Sequence, residues 1–274
     1  MTKLSKKNFP KPVSPLHYTK KYYLNWSDYP VFVKSKGKKI FVLYQTVLRM
    51  AKIKPGMKVL DLGCGKGELV VFAARLGAEV WGVDYSKAAI QLAKKSICFL
   101  PNKMRARVKL SHQDFKKLKL PVDYYDRIIA VALIEHIRPW EVDILFDKAK
   151  KALKKNGKLI IHTAPNRYVP DYGVPLYRFW HLIARGKPAV EVARHPYDLI
   201  MHINEQTPSS LKKSLKNHGY SNRIWLEKGG IYTMLESFGA KKSVLKKMIV
   251  KILALWPFKL IFFDNIYAVA EKKK

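Results

Sequence analysis

A glycine-rich turn between an apolar run and a helical segment constrains the fold of this chain more than any other feature. Residues 59–68 read V-L-D-L-G-C-G-K-G-E. The run predicts a buried parallel strand, and the turn with Gly63, Gly65 and Gly67 predicts entry into a helix N-terminus. Glycine lacks a Cβ and tolerates positive φ, so backbone N–H groups of such a turn can approach a ligand closely. The spacing D-x-G-x-G-x-G differs from the G-x-G-x-x-G pattern of pyrophosphate binding.

A second predicted strand reads V-W-G-V-D and ends at Asp84. It lies about twenty residues after the turn, the distance at which an acid accepts hydrogen bonds from ribose hydroxyls in dinucleotide-binding folds. We expect the same geometry for an adenosyl ribose, and a polar strand end without a ligand is the alternative. Ser86 predicts the N-cap of a helix over residues 87–98.

Three further segments combine an apolar run with a polar end. They are H-Q-D-F at 112–115, the run from Tyr125 through A-L-I-E-H-I to 137, and N-G-K-L-I-I-H-T-A-P-N at 156–166. A near-continuous apolar run is typical of a strand covered on both faces. Because strands alternate with helices as far as Thr163, the sequence predicts right-handed crossovers and a parallel sheet.

These motifs, in this order, resemble those of class I S-adenosylmethionine (AdoMet) methyltransferases. The resemblance covers about residues 38 to 164, and GKGEL, GVDYS, IEHI, HTAPNR and HINEQT extend it from Tyr18 to Leu226. The longer strings are similar to prokaryotic methyltransferases of small molecules, surface glycans and lipid-linked glycans. The resemblance implies an α/β fold: a Rossmann-like, doubly wound sheet of seven strands, mostly parallel with an antiparallel last strand. Helices on both faces and a cap inserted after the fifth strand are also implied.

The resemblance further implies AdoMet as cofactor, with S-adenosylhomocysteine as product. It places the methionyl end at Asp61 and the glycine turn, the ribose at Asp84, and the methionine amine at backbone groups after the fourth strand. The implied cofactor-binding residues are Asp61, Gly63, Cys64, Gly65, Gly67, Asp84, Tyr85, Asp114, Phe115, Ala132 and Leu133. Quinone O-methyltransferases carry an extra carboxylate where this chain has Ala132 and Leu133, so no metal is expected.

Methylation of a hydroxyl group needs a base that removes the proton. His136 is the first candidate, because it follows the fourth strand where open α/β sheets bind ligands, and because imidazole titrates near neutral pH. A structural role for His136 is the alternative, and His162 and His202 are rival bases. Glu135 is expected to orient the loop or to bind substrate. The predicted acceptor contacts are Tyr22, Tyr23, Asn166, Tyr168 and Asn204.

Charge is the unusual part of the composition. The 274 residues include 53 Lys and Arg against 20 Asp and Glu, a net charge of +33. A field of this size favours nucleic acid or anionic lipid. Specific readers of phosphates and bases rely on arginine forks, yet 42 of these cations are lysines. A lysine-rich solvated surface, an anionic membrane and nucleic acid all stay open as explanations.

The chain divides into a basic, proline-rich tail (1–20), predicted to be mobile, and one methyltransferase domain (21–274). Within the domain we expect N-terminal helices or a lid (21–55), a cofactor-binding core (56–164) and a substrate cap (165–206). A helix with Thr207 as N-cap and two strands, 220–226 and 263–270, complete it. The segment 243–263 is interpreted as a core-covering helix. The alternative is an interfacial segment that buries Met248, Leu255, Trp256 and Phe258 in lipid.

Two cysteines, no apolar N-terminal segment and no run of eighteen apolar residues predict a cytoplasmic protein, with peripheral contact at the inner face of the membrane as an option. The predicted function is methyl transfer to a hydroxyl of a small-molecule, glycan or lipid-linked acceptor. An RNA methyltransferase and a non-catalytic AdoMet-binding partner are the alternatives. The motifs of exocyclic adenine, cytosine C5 and ribose methylation are not evident.

Overall fold

A seven-stranded sheet forms the centre of the fold. The computed structural model describes residues 11–25, 28–186, 196–229, 251–252 and 254–273. The strands are β1 (Lys58–Leu62), β2 (Glu79–Asp84), β3 (Val108–His112), β4 (Tyr125–Val131), β5 (Leu153–Thr163), β6 (Tyr220–Glu227) and β7 (Asn265–Lys272). Their spatial order is β3-β2-β1-β4-β5-β7-β6. Strands β1 to β5 pair in parallel, and β7 is antiparallel to both β5 and β6. The predicted fold class is confirmed.

Helices cover both faces of the sheet. In the described ranges they are α1 (Lys20–Asn25), α2 (Asp28–Lys34), α3 (Val42–Ala51), α4 (Glu68–Arg75), α5 (Lys87–Ile97), α6 (Asn102–Arg105), α7 (Pro139–Ala152), α8 (Val174–Arg185), α9 (Pro196–Met201), α10 (Pro208–Asn217) and α11 (Lys259–Phe262). Alternate strand residues fill two cores: Val59 and Ile129 pack with α3, α4 and α5, whereas Leu60 and Ile128 pack with α7 and α10. This alternation is the two-residue period of a strand covered on both sides.

Helix caps follow the sequence signals closely. The Ser86 side chain accepts a hydrogen bond from the Ala89 N–H at the start of α5, and Thr207 caps α10 in the same way through Ser210. Each cap satisfies an N–H that has no partner within the helix. Gly219 ends α10 with a φ of 74°.

Two predicted boundaries need correction. Strand β5 begins at Leu153, directly after α7, rather than after the Asn156-Gly157 turn. The segment 243–263 is not a uniform core-covering helix, because Leu255 and Trp256 are 60% and 73% exposed, whereas Phe262 is buried. Residues 243–250, with Met248, and the tail 1–10 lie outside the described residues.

None of the helices in the described ranges combines the length and apolarity needed to cross a bilayer.

Candidate active site

The glycine turn after β1 adopts a backbone that requires glycine. Gly63, Gly65 and Gly67 have φ angles of 72°, 51° and 78°, in the left-handed region that side chains rarely adopt. A Cβ on Gly67 would lie 2.9 Å from the Cβ of Ala93 in α5, and one on Gly63 would lie 3.2 Å from Leu133. The turn therefore packs closely against α5 on one side and against the β4 loop on the other.

The Asp84 carboxylate joins this turn to the start of α5. Its Oδ2 accepts a hydrogen bond of 3.0 Å from the Gly65 N–H, and its Oδ1 accepts one of 2.8 Å from the Ser86 N–H. Burial raises the pKa of Asp84 to about 6, although these hydrogen bonds act in the opposite direction. A carboxylate has about four acceptor positions, so both oxygens retain capacity for ligand hydroxyl groups.

Asp61, inside β1, is a buried carboxyl group that is 3% exposed. Burial and the nearby charge of Asp84 raise its pKa to about 8. A buried carboxylate is costly without a cation or a donor. The position therefore suits a ligand ammonium group, such as that of AdoMet.

The loops after β3 and β4 complete this edge of the sheet. Asp114 caps a short turn by accepting the Lys116 N–H, with Phe115 half-buried beside it. The Gln113 N–H donates to the Asp84 carbonyl and holds this loop against β2. Ala132 is exposed and has a φ of 49°. A non-glycine residue in this region is strained, and such residues are often found at binding sites.

Tyrosines from the N-terminal region cover the glycine turn. Tyr18, Tyr22 and Tyr23 are only 7% to 8% exposed. A Cβ on Gly65 would lie 3.8 Å from the Tyr23 ring, and the Tyr18 ring packs against Tyr85 with a centroid separation of 5.3 Å. Burial raises the pKa of Tyr23 far above its usual range, so its hydroxyl stays protonated. Segment 18–23 thus lies over the expected cofactor position.

Histidines gather beside these tyrosines. The His136 ring lies 4.8 Å from that of His202 and 5.8 Å from that of Tyr18, between centroids. The His136 Nδ1 lies 3.2 Å from the Met201 carbonyl oxygen, which can only accept, so Nδ1 carries the proton and Nε2 the lone pair. Burial lowers the pKa of His136 to about 4, partly opposed by this hydrogen bond. The imidazole is therefore neutral at physiological pH.

Comparison with known proteins agrees with this geometry. A family model described as a methyltransferase domain matches residues 38–223. The chain belongs to the class I AdoMet-dependent methyltransferases. The predicted family is therefore confirmed.

Individual relatives of this methyltransferase differ in their acceptors. It is 36% identical over 117 residues to the mitochondrial ubiquinone biosynthesis O-methyltransferase of Schizosaccharomyces pombe, covering 43% of this chain and 41% of that protein. It is 34% identical over 113 residues to the Escherichia coli cyclopropane-fatty-acyl-phospholipid synthase, covering 41% and 27%. The chain thus spans less than half the length of both relatives.

A solved structure shares the fold of the methyltransferase. This is Haemonchus contortus phosphoethanolamine N-methyltransferase 2 in complex with phosphomonomethylethanolamine and S-adenosylhomocysteine. The TM-score is 0.60 at 18% identity, with coverage of 97% of this chain and 62% of that one.

Two residues predicted to be catalytic have structural contacts. His162 is 2% exposed and its Nε2 lies 2.9 Å from Asn265 Oδ1. Its ring packs on Tyr267 of β7, and these contacts favour a structural role, while the role of His162 as a base stays a prediction. Glu135 accepts hydrogen bonds from the Thr163 hydroxyl, at 2.8 Å, and from the Ala164 N–H. These bonds join the loop after β4 to the end of β5, and the predicted roles of Glu135 stay predictions.

Three of the predicted acceptor contacts form hydrogen bonds within the protein. Asn166 is fully buried, and its Nδ2 donates to the carbonyls of Leu260 and Phe263; these contacts favour a structural role, and its contact with the acceptor stays a prediction. Asn204 donates to the Ile134 carbonyl at 3.1 Å, and the Tyr168 hydroxyl contacts Ser209 at 3.1 Å. Both therefore hold the cap of the methyltransferase together.

Sequence reasoning missed Tyr18, Tyr197 and Met201 as neighbours of the site. The Tyr197 ring lies 5.4 Å from that of Tyr22, which joins α9 to the N-terminal tyrosines. The concentration of tyrosines at 18, 22 and 23 was the available signal, since Tyr18 lies just before α1 and its ring packs on that of Tyr22 at 5.3 Å. No local pattern identifies Met201, which acts through its backbone carbonyl.

Proposed function

We propose that this methyltransferase transfers the methyl group of AdoMet to a hydroxyl group of a small-molecule, glycan or lipid-linked acceptor. The hydrogen bond from His136 to the Met201 carbonyl carries the proposal. It fixes the imidazole with Nε2 as the proton-accepting atom, at the carboxyl edge of the sheet where α/β folds bind ligands. A neutral, oriented imidazole is what deprotonation of a hydroxyl group requires.

The residues that would contact the cofactor lie at the same carboxyl edge of the sheet. AdoMet, when bound, supplies a methyl group already activated as a sulfonium. Asp61 holds the methionyl ammonium group, and the turn containing Gly63, Cys64, Gly65 and Gly67 lies along the methionyl chain. Asp84 accepts the ribose hydroxyls. Asp114 and Phe115 contact the adenine beside Tyr85, while the backbone of Ala132 and Leu133 meets the methionine amine.

The acceptor side is formed by His136, His202 and the tyrosines. Tyr22 and Tyr23 exclude water from the methyl group, and exclusion of water strengthens electrostatic contacts in the site. The His202 Nδ1 lies 3.7 Å from Glu205 Oε1, so this pair can stabilise the protonated form of His136 or serve as the rival base. We assign proton removal to His136 because the hydrogen bond from its Nδ1 to the Met201 carbonyl fixes the orientation of its ring.

Lipid-linked acceptors are included because the relatives suggest them. One relative is named for ubiquinone biosynthesis and another for fatty acyl phospholipids. We further propose a cytoplasmic protein with peripheral contact to the inner face of the membrane. The charge of +33 supports an anionic surface as partner.

Transfer of labelled methyl from AdoMet into fractionated host material tests the function. We expect label in the lipid and glycan extract or in soluble metabolites, and much less label with the His136→Ala variant. Label in purified RNA would favour an RNA methyltransferase instead. Binding of AdoMet without transfer to any fraction would favour a non-catalytic AdoMet-binding protein.

A further inference from the structure

Helix α8 turns an apolar surface outward. Leu176, Phe179 and Ile183 are 42%, 62% and 69% exposed, and their spacing of three and four residues places them on one side of the helix. The opposite side is buried through Tyr177 and His181. A helix at the surface of a globular domain normally exposes its polar side, so α8 is the reverse of that pattern.

The segment before α11 exposes large apolar residues as well. Leu255 is 60% exposed, Trp256 is 73% exposed and Phe258 is 40% exposed. Exposed tryptophan and phenylalanine side chains in one short segment are uncommon unless the surface meets an apolar partner.

These two surfaces adjoin. Tyr177 of α8 shares a small core with Phe262 of α11, and Ala254 packs on the same core. Gly173 lies directly against the Ile261 carbonyl. Since α8 and residues 254–262 pack together, we treat their outward side chains as one apolar face, defined by Leu176, Phe179, Ile183, Leu255, Trp256 and Phe258.

Cations accompany the apolar side chains among the described residues. Arg178 lies next to Phe179 in α8, and Lys251 precedes Leu255; both cations are exposed. Lys259 directly follows Phe258. Asp171, the acid beside the start of α8, is paired with Arg167 at 3.3 Å. Within the described residues, cations therefore flank the apolar face.

We propose that the apolar face docks the methyltransferase onto an anionic phospholipid bilayer. Such a bilayer offers a partner for both kinds of side chain. Its anionic headgroups can bind the lysines, and the boundary of its acyl chains can take up Trp256 and Phe179. Nucleic acid supplies the anions but no apolar layer for exposed aliphatic side chains. The inference rests on the proposed function and narrows its acceptor to a lipid-linked molecule.

Helix α9 exposes apolar side chains next to the residue that holds His136. Leu199 and Ile200 are 66% and 58% exposed, and the next residue, Met201, accepts a hydrogen bond from His136 through its carbonyl. The apolar chain of a lipid-linked acceptor would find apolar contacts at these residues.

Flotation of the full chain with vesicles tests the docking. We compare phosphatidylcholine vesicles with vesicles containing roughly 30% phosphatidylglycerol, at low and high salt. We expect binding to the anionic vesicles, weakened by salt, and a loss of roughly tenfold or more in the double variant Phe179→Ser/Ile183→Ser. The matched control is Val122→Ser, because Val122 is 70% exposed in the turn before β4, away from this face.

Tryptophan fluorescence provides a second measurement of vesicle binding, with the conservative variant Trp256→Phe as comparison. A blue shift with anionic vesicles is expected in the wild type and should be largely absent in Trp256→Phe. No vesicle binding at low salt, or equal loss in the Val122→Ser control, would overturn the proposal. A dimer in size-exclusion chromatography that the double variant dissociates, without vesicle binding, would assign the face to a second copy instead.

The two proposals fail separately. Flotation needs no methyl transfer, and AdoMet affinity, measured by calorimetry on the same variants, reports an intact cofactor site. Methyl transfer with no vesicle binding leaves the proposed function standing and rejects the docking. Vesicle binding with no methyl transfer supports the docking surface and rejects the proposed function.

Discussion

Gly65 donates its backbone N–H to the Asp84 carboxylate across 3.0 Å. The two residues are 19 positions apart in the sequence: Gly65 lies in the turn after β1, and Asp84 ends the neighbouring parallel strand β2. The acid expected to bind the ribose therefore also fixes the turn expected to bind the methionyl group. Two cofactor motifs act as one structural unit, and a change in either alters both.

Replacing Asp84 with Asn should weaken AdoMet binding by about 10- to 100-fold. The Asn amide group would face either the Gly65 N–H or the Ser86 N–H, leaving a buried donor without an acceptor, and loss of such charged hydrogen bonds costs about 1.5–3 kcal/mol. Calorimetry measures the dissociation constant. Glu79→Gln is the control, because Glu79 begins the same strand and forms an exposed ion pair with Lys58. Equal affinity in both variants would show that Asp84 does not contact the cofactor.

AdoMet binding should release a proton from Asp61 near neutral pH. The pKa of this carboxyl group is raised to about 8, so the group is mostly protonated before binding. A ligand ammonium nearby favours the ionised form. Affinity should therefore rise as the pH approaches about 8, the value that Asp61 shows without ligand.

Calorimetry in buffers of different ionisation enthalpy counts the released protons. Asp61→Asn, which resembles the protonated carboxyl group in shape, removes the contribution of Asp61 and leaves that of the cofactor amine. The same proton count in wild type and variant would exclude Asp61 as the titrating group.

Sequence patterns predicted the core elements well because each pattern lies within a short segment of the chain. Leu211 and Leu215, four residues apart, lie on one buried face of α10, and the glycine turn required only residues 59–68. The cap is different. The His136 contact joins residues 65 positions apart, and no periodicity encodes that pairing.

The roles of polar residues after strands were the hardest to predict from sequence. Asn166 follows β5 where a substrate contact is expected, yet its side chain fastens the chain at Leu260 and Phe263. A buried amide that joins loops and an amide that binds a ligand look alike in sequence. The two differ only in which donors and acceptors the tertiary fold brings within reach.

His136→Ala should lower turnover by about 10²- to 10⁴-fold, the usual contribution of a general base. AdoMet affinity should change little, because His136 contacts Met201 and the ring of His202 rather than the glycine turn. Steady-state kinetics and calorimetry measure the two effects. His202→Ala identifies the rival base: a larger loss of turnover there than in His136→Ala would transfer the role to His202.

His162 should make the fold less stable in mild acid. Burial lowers its pKa from the ordinary 6.5 to about 4, so the unfolded chain takes up a proton that the folded chain excludes. The stability is complete above the unfolded value and is lost as the pH falls from about 6.5 towards 4. Linkage gives about 2 kcal/mol of lost unfolding free energy by about pH 5.

Urea unfolding at about pH 7.5 and about pH 5 measures this loss. His162→Gln retains a donor for Asn265 but does not titrate, so its loss of stability between the two pH values should be smaller than that of the wild type. His112→Gln is the control, because His112 is an exposed histidine at the end of β3. If His162→Gln showed the full wild-type loss, the acid sensitivity would have to come from other groups, with His136, whose pKa is also lowered to about 4, as the next to test.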